Sequence, residues 1–259
     1  MIGITSESKI CISVIRDGRT AHIRCINKNI MTNQLRDDIA LEVTSTSNIA
    51  VVLPIDTIGL GSDGGDYDTN SLSPSDFTFD DSVPNMTIYK YVRVSTAYQL
   101  QTVRLYAGGK TYFQAYIYPP VIVNTNDIVA VSWTIQLKLI TGSPPGGGSG
   151  ILNDATASST SFPAAIHHIL GQDRGGRTLK AEVISAEQLS PPAVLLSVPT
   201  ENDPVNSVVR VPPTNFANNG NLEAIFIRNS TSPYDIKILL SSPIPVTRAN
   251  ILKLEIYFR

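Results

Sequence analysis

The stretch Ile128-Val129-Ala130-Val131-Ser132-Trp133-Thr134-Ile135-Gln136-Leu137-Lys138-Leu139 decides the fold. Val129, Val131, Trp133, Ile135, Leu137 and Leu139 recur at every second position, and Ser132, Thr134, Gln136 and Lys138 alternate with them. A period of two is that of a strand with one face on the core and one in water. A helix would need apolar residues three and four apart and would disfavour so many β-branched side chains. The stretch therefore predicts one long, half-buried strand.

Working outward, Ile10, Ile12 and Val14 share one face of an earlier strand, and Val121 with Val123 repeat the spacing. Residues 89–95 and 103–106 read as further strands. Gly108-Gly109 supplies the positive φ of a tight turn before the strand that starts at 111–118, so an antiparallel meander is expected. Residues 59–81, rich in Gly, Ser, Asp and Asn, read as a long surface loop with Phe77 and Phe79 pinning its far end. Helical signal is limited to 33–42 (Gln34, Leu35, Ile39, Leu41), capped near Thr32 or Asn33, and to Ser161-Phe162-Pro163-Ala164-Ala165-Ile166-His167-His168-Ile169-Leu170 before Gly171.

Ser143-Pro144-Pro145-Gly146-Gly147-Gly148-Ser149-Gly150 is the clearest punctuation: proline forbids helix and ladder pairing, and successive glycines are costly to order. It divides the chain into a β-sandwich domain at 1–141, a linker at 142–150 and a second β-sandwich domain at 151–259. Pro120-Val121-Ile122-Val123-Asn124-Thr125-Asn126-Asp127-Ile128-Val129-Ala130-Val131 aligns without gaps to Pro243-Ile244-Pro245-Val246-Thr247-Arg248-Ala249-Asn250-Ile251-Leu252-Lys253-Leu254. A repeat this long marks a duplicated domain, since solenoid units run to roughly 50 residues at most. Trp133-Thr134-Ile135 in the first half answers to Ile256-Tyr257-Phe258 in the second. The expected class is thus all-β: two tandem, related antiparallel sandwiches with at most one or two short helices each.

Charged residues make up 16% of the 259 and hydrophobic ones 42%, with a formal net charge of -2. Such a chain is too apolar for disorder, and charge-poor enough that part of its surface is expected to be covered by neighbours. No basic run offers a nucleic-acid footprint, and no apolar run approaches the roughly 18 residues that span a bilayer. The start, Met1-Ile2-Gly3-Ile4-Thr5-Ser6-Glu7, has no basic region followed by an apolar one, so the chain reads as a soluble product of a cytoplasm.

Cys11 and Cys25 flank the turn Arg16-Asp17-Gly18-Arg19; buried free thiols are the favoured reading and a cross-strand bridge the alternative. Neither cysteine combines with His22, His167 or His168 in a metal-ligand spacing, so no metal or cofactor is expected. His167-His168 with Asp173 suggests acid–base work, but helical neighbours point about 100° apart, and a structural or interface role is preferred. Asp63-Gly64-Gly65-Asp66-Tyr67-Asp68 lacks the spacing and closing glutamate of a calcium loop and reads as solvated. Gly146-Gly147-Gly148-Ser149-Gly150 lacks the Lys-Ser/Thr of a phosphate loop. Tyr89, Tyr91, Tyr98, Tyr106, Tyr112, Tyr116 and Tyr118 supply either sheet packing, an oligomer interface or a sugar-stacking platform. No residue is assigned a catalytic role.

The order of several motifs resembles a widespread group of bacteriophage tail and tail-fibre-associated virion proteins. Arg16-Asp17-Gly18-Arg19 matches their "dG" turn, and Asn27-Lys28-Asn29-Ile30-Met31-Thr32 their "kNliT" segment. Ile58-Gly59-Leu60-Gly61-Ser62 with Ser75-Asp76 matches a glycine loop, and residues 121–137 match a closing "pivKt…vtwtl" strand. The resemblance covers most of the first half; the second keeps the closing strand but departs at residues 166–173. It implies a non-catalytic structural protein of the virion, in tail, baseplate or neck, repeated by symmetry and contacting copies of itself and other virion proteins. A glycan-binding module for the host surface and a capsid decoration (cement) protein are the alternatives, with a hydrolase behind them. The strand at 251–259 carries no solubilising tail, and its edge is expected to be paired or covered in the assembled particle.

Overall fold

The computed structural model describes residues 1–27, 29–142, 155–230 and 234–259. The expected linker at 142–150 lies outside them except for Gly142, whose N–H and C=O bond the carbonyl and amino group of Met1. The protein is all-β, with four antiparallel sheets and two short helices among the described residues.

In the first half, one sheet runs β2 (Arg19–Ile26), β1 (Ile2–Arg16), β10 (Ile128–Thr141), β7 (Asn85–Arg93), β6 (Phe77–Asp80). The stripe that predicted a long strand is β10: Val129, Val131, Trp133, Ile135 and Leu137 are buried, and Ser132, Thr134 and Gln136 are half-exposed. The opposing sheet runs β3 (Asn29–Met31), β9 (Lys110–Val123), β8 (Tyr98–Ala107), β4 (Thr57–Ser62), β5 (Gly65–Ser71). Trp133 meets Phe113 of β9 edge to face at 6.4 Å between ring centres, so the core lies between the two sheets. The β1–β2 turn has positive φ at Asp17 and Gly18, the conformation a two-residue hairpin favours. Gly108 and Gly109 also have positive φ, as the β8–β9 turn requires.

Two expectations need correction. Residues 59–81 are not a long loop: most of them form β4, β5 and β6, with a single 3-10 turn at Pro74–Asp76. Glycine there serves close approach, since a Cβ on Gly61 would lie 2.1 Å from the carbonyl oxygen of Gly65 at the β4–β5 bulge. Phe77 is buried as expected, and Phe79 packs from the half-buried side. Cys11 and Cys25 are not free thiols: they sit directly opposite on β1 and β2 and form a disulfide. The bridge lies on the outward face, where the alternation that buries Ile10 and Ile12 must put Cys11.

In the second half, β11 (Thr156–Ser158), β17 (Asp235–Val246), β16 (Gly220–Arg228), β12 (Val183–Leu189) and β13 (Pro192–Pro199) form one sheet. Strands β14 (Glu201–Asp203), β15 (Val208–Asn215) and β18 (Ile251–Tyr257) form the other. The order β11-β17-β16-β12-β13 repeats β3-β9-β8-β4-β5, and β14-β15-β18 repeats β6-β7-β10. Helix α1 (Asn33–Val43) follows β3 as α2 (Ser161–Leu170) follows β11, both where the sequence placed them. Among the described residues the β1–β2 hairpin has no counterpart. The turns of the aligned segments coincide in detail: the N–H of Asn124 donates to Asp127 Oδ2 at 2.8 Å, and that of Thr247 to Asn250 Oδ1 at 2.7 Å. The reverse bonds, Asp127 N–H to Asn124 O and Asn250 N–H to Thr247 O, are present in both.

The halves meet through a reciprocal joint. The last carbonyl of α1, Val43, accepts from Ala181 N–H two residues before β12 at 2.9 Å. The last carbonyl of α2, Leu170, accepts from Ile55 N–H two residues before β4 at 2.8 Å. Each helix C-terminus thus finds a partner for an orphan carbonyl in the other half. Glu42 of α1, fully buried, accepts from the N–H groups of Val51 and Val52 at 2.9 Å and of Leu179 at 3.0 Å, and it pairs with Arg174. Arg174 also donates to Val52 O at 2.8 Å, and Asn202 bridges Ser45 O and Ala181 O. Removing the carboxylate leaves three amide donors, two of them on buried residues, and a guanidinium without their carboxylate acceptor. Glu42→Ala is therefore expected to lower unfolding stability by about 3–5 kcal/mol, read from urea unfolding; a loss below about 1 kcal/mol would show that the joint carries little of the stability.

Candidate functional site

Most of the polar side chains singled out from sequence are consumed inside the fold. Asp66 of β5 pairs with Arg104 at 2.6 Å and accepts from the Tyr106 hydroxyl at 2.6 Å. Burial and that carboxylate push the Tyr106 hydroxyl up to about 12. Asp68 is buried and accepts from Ser95 N–H at 2.9 Å, and Tyr98, stacked on Tyr67, lies beside it. Burial, then Asp68, pushes the Tyr98 hydroxyl well above its ordinary range. In the Asp63–Asp68 segment, Asp66 and Asp68 lie on β5 and already hold protein partners, whereas Asp63 stands exposed in the turn that precedes it. Tyr112 is buried, donates to Asp38 at 2.7 Å and accepts from Leu53 N–H. Among the described residues no group of three or more His, Cys, Asp or Glu is arranged to hold a metal.

The histidine pair divides as helical geometry requires. His168 faces the first half, stacked on Phe79 at 4.4 Å, with Nε2 at 3.0 Å from Asp81 and Nδ1 at 3.8 Å from Asp173. His167 points the other way into the core, 1% exposed, with neither ring nitrogen hydrogen-bonded. His168 and Asp173 thus come together at the joint, and His167 does not join them.

The exposed tyrosines lie on the outer faces of the first half. Cross-strand register sets Tyr91, Ala130, Ser13 and Ile23 in one row, and Tyr89, Ser132, Cys11 and Cys25 in the next. Small side chains on β10 and β1 leave a shallow trough, walled by Tyr89 and Tyr91 (52% and 71% exposed) on one side and by Cys11 of the disulfide on the other. On the opposite sheet, Tyr116, Tyr118 and Ile122 of β9 stand exposed, Tyr118 at 85%. Of the seven tyrosines singled out, Tyr98, Tyr106 and Tyr112 serve the interior, and Tyr89, Tyr91, Tyr116 and Tyr118 face water. Sequence reasoning missed Glu42, Asp38 and Asp127. Asp127 had a local signal, the Asn-x-x-Asp turn shared with Thr247-x-x-Asn250, whereas a buried helical glutamate has none.

Burial holds the His167 imidazole neutral, its pKa lowered from 6.5 to about 3. The unfolded chain takes up a proton below pH 6.5 that the folded chain refuses, so stability is lost as pH falls from 6.5 toward 3. His167→Gln is expected to reduce the stability lost between pH 7 and pH 4.5 by about 2 kcal/mol, measured by denaturant unfolding at both values. An unchanged loss would place the acid sensitivity elsewhere.

Compared with known protein families, curated proteins and solved structures, the chain matches none.

Proposed function

We propose that this chain is a non-catalytic structural protein of a bacteriophage virion, serving in tail, baseplate or neck as an assembly or fibre-attachment adaptor. Its partners are copies of itself and other virion proteins. The observation that carries the reading is the pair of outer faces: Tyr89, Tyr91 and Ile23 on one sheet, Tyr116, Tyr118 and Ile122 on the other, all exposed. Isolated apolar residues on a surface are ordinary, but rows of aromatic and β-branched side chains on flat strand faces are the composition of protein interfaces. The joint supports it further, because buried bonds across both helix ends make the two sandwiches a firm block. Mass spectrometry of virions purified from the source lysate, with antibody labelling in electron micrographs, is expected to find the chain in stoichiometric amounts on the particle. Its absence from purified particles would end the proposal.

The trough between Tyr89, Tyr91 and the disulfide favours a second reading, a glycan-binding module for the host surface. Exposed tyrosines beside a floor of Ser13, Ala130 and Ser132 suit the stacking of a sugar ring with hydroxyls nearby. On that reading, Tyr91→Ala lowers retention on an array of host surface glycans about tenfold. An array that captures no wild-type chain would remove the reading.

A further inference from the structure

The duplication exposes a difference between the halves. In the first, β10 has a strand on each side, β7 and β1. In the second, β18 takes the place of β10 and β15 that of β7, but among the described residues the β1–β2 hairpin has no equivalent. Among the described residues the outer edge of β18 is touched only at its end, where Ile2 bridges Phe258. Among the described residues, a strand built for the middle of a sheet therefore presents an unpaired row of backbone groups.

Alternation says which groups these are. Phe258 N–H donates to Ser207 O on the β15 side at 2.8 Å, whereas Arg259 bonds Ile2 O and Ile4 N–H on the other, at 3.0 and 3.2 Å. The amides and carbonyls of Lys253 and Glu255 consequently point out from the open edge. Their side chains stand in water, while Leu252, Leu254 and Ile256 are buried at 5%, 6% and 2% exposure.

We propose that this edge pairs antiparallel with β18 of a second copy of the chain, about a two-fold axis through Leu254. In that register Lys253 faces the partner's Glu255 and Glu255 faces the partner's Lys253, both at positions whose backbones exchange hydrogen bonds. Leu252 faces the partner's Ile256 on the core side. Centring the pair on Lys253 or Glu255 instead sets like charges opposite one another, and centring it on Ile256 runs into Ile2. Lys253 has no ion pair among the described residues, while Glu255 is met by Arg210 at 3.3 Å. The edge is thus complementary to itself in one register. The inference rests on the assembly reading in taking another copy of this chain as the partner.

The test is sedimentation of the full chain across concentration, for wild type, Lys253→Glu, Glu255→Lys and the double exchange, with circular dichroism melts to confirm folding. Wild type is expected to dimerise. Each single exchange sets like charges opposite one another twice and weakens the dimer about tenfold; the double exchange restores it. Hydrogen exchange of wild type gives an independent readout, with the amides of Lys253 and Glu255 slowing as concentration rises. A monomer at every concentration, a dimer that ignores the single exchanges, or a loss that the double does not repair overturns the proposal. A monomer that is nonetheless found on purified virions overturns edge pairing and leaves the virion reading standing.

Discussion

The carboxylate of Glu42 is the constraint around which the two halves are arranged. A charge removed from water costs several kcal/mol unless polar partners replace the solvent, and here three backbone amides and Arg174 do so. Two amides come from the segment between α1 and β4, the third and the guanidinium from the segment between α2 and β12. One side chain therefore fixes the path by which each half enters its inner sheet. Around it, the bonds from Ala181 to Val43 and from Ile55 to Leu170 repeat each other with the halves exchanged. That is the form of a contact between two copies of one surface, as in a two-fold dimer. The two halves thus meet as equals, with Glu42 added on one side only.

The departure from equality lies in the β1–β2 hairpin. It widens the outer sheet of the first half to five strands against three in the second, and a disulfide ties its edge strand to β1. Nearly all of β2 faces water, so it buries little of its own. Covering the edge of β10 is what the hairpin achieves, along fourteen paired positions of β1. The same register builds the trough, because β1 brings Ser13 and Cys11 alongside Ala130 and Ser132. One addition thus closes an edge and shapes a surface.

The elements carried by periodicity were legible. Strand β10, the hairpin turn at Asp17-Gly18, both helices and the repeat of the closing strands all follow from spacing of two, glycine at positive φ and proline near a helix start. Residues 59–81 were not, because their strands β4 and β5 are built from Gly, Asp, Ser and Thr, with glycine chosen for close backbone approach and aspartate for buried pairing with Arg104 and a backbone amide. Composition reports solvation only when such groups lack partners, and partners distant in sequence are invisible to it. The disulfide was half legible: the opposition of Cys11 and Cys25 and, through the alternation of Ile10, Ile12 and Val14, the outward face of Cys11 were readable, but spacing alone does not say that two opposed thiols are oxidised. Glu42 sits among apolar neighbours on α1 and gives no local sign that a second half will close over it.

Edges connect these observations. A sheet edge is open to any passing strand, and charged residues on it are the usual protection. Strand β2 carries Arg19 and Arg24, a like-charged pair that repels its own copy in antiparallel alignment. Strand β18 carries Lys253 and Glu255, which oppose an uncharged strand by desolvation but satisfy each other when the strand meets itself reversed. The two edges therefore differ in kind, although both are charged. One excludes its own copy, and the other excludes most partners while leaving a single register open to that copy. Selectivity of this sort needs no deep pocket and no long motif, only two charges two residues apart on the exposed face of a strand whose backbone phase turns both toward the gap.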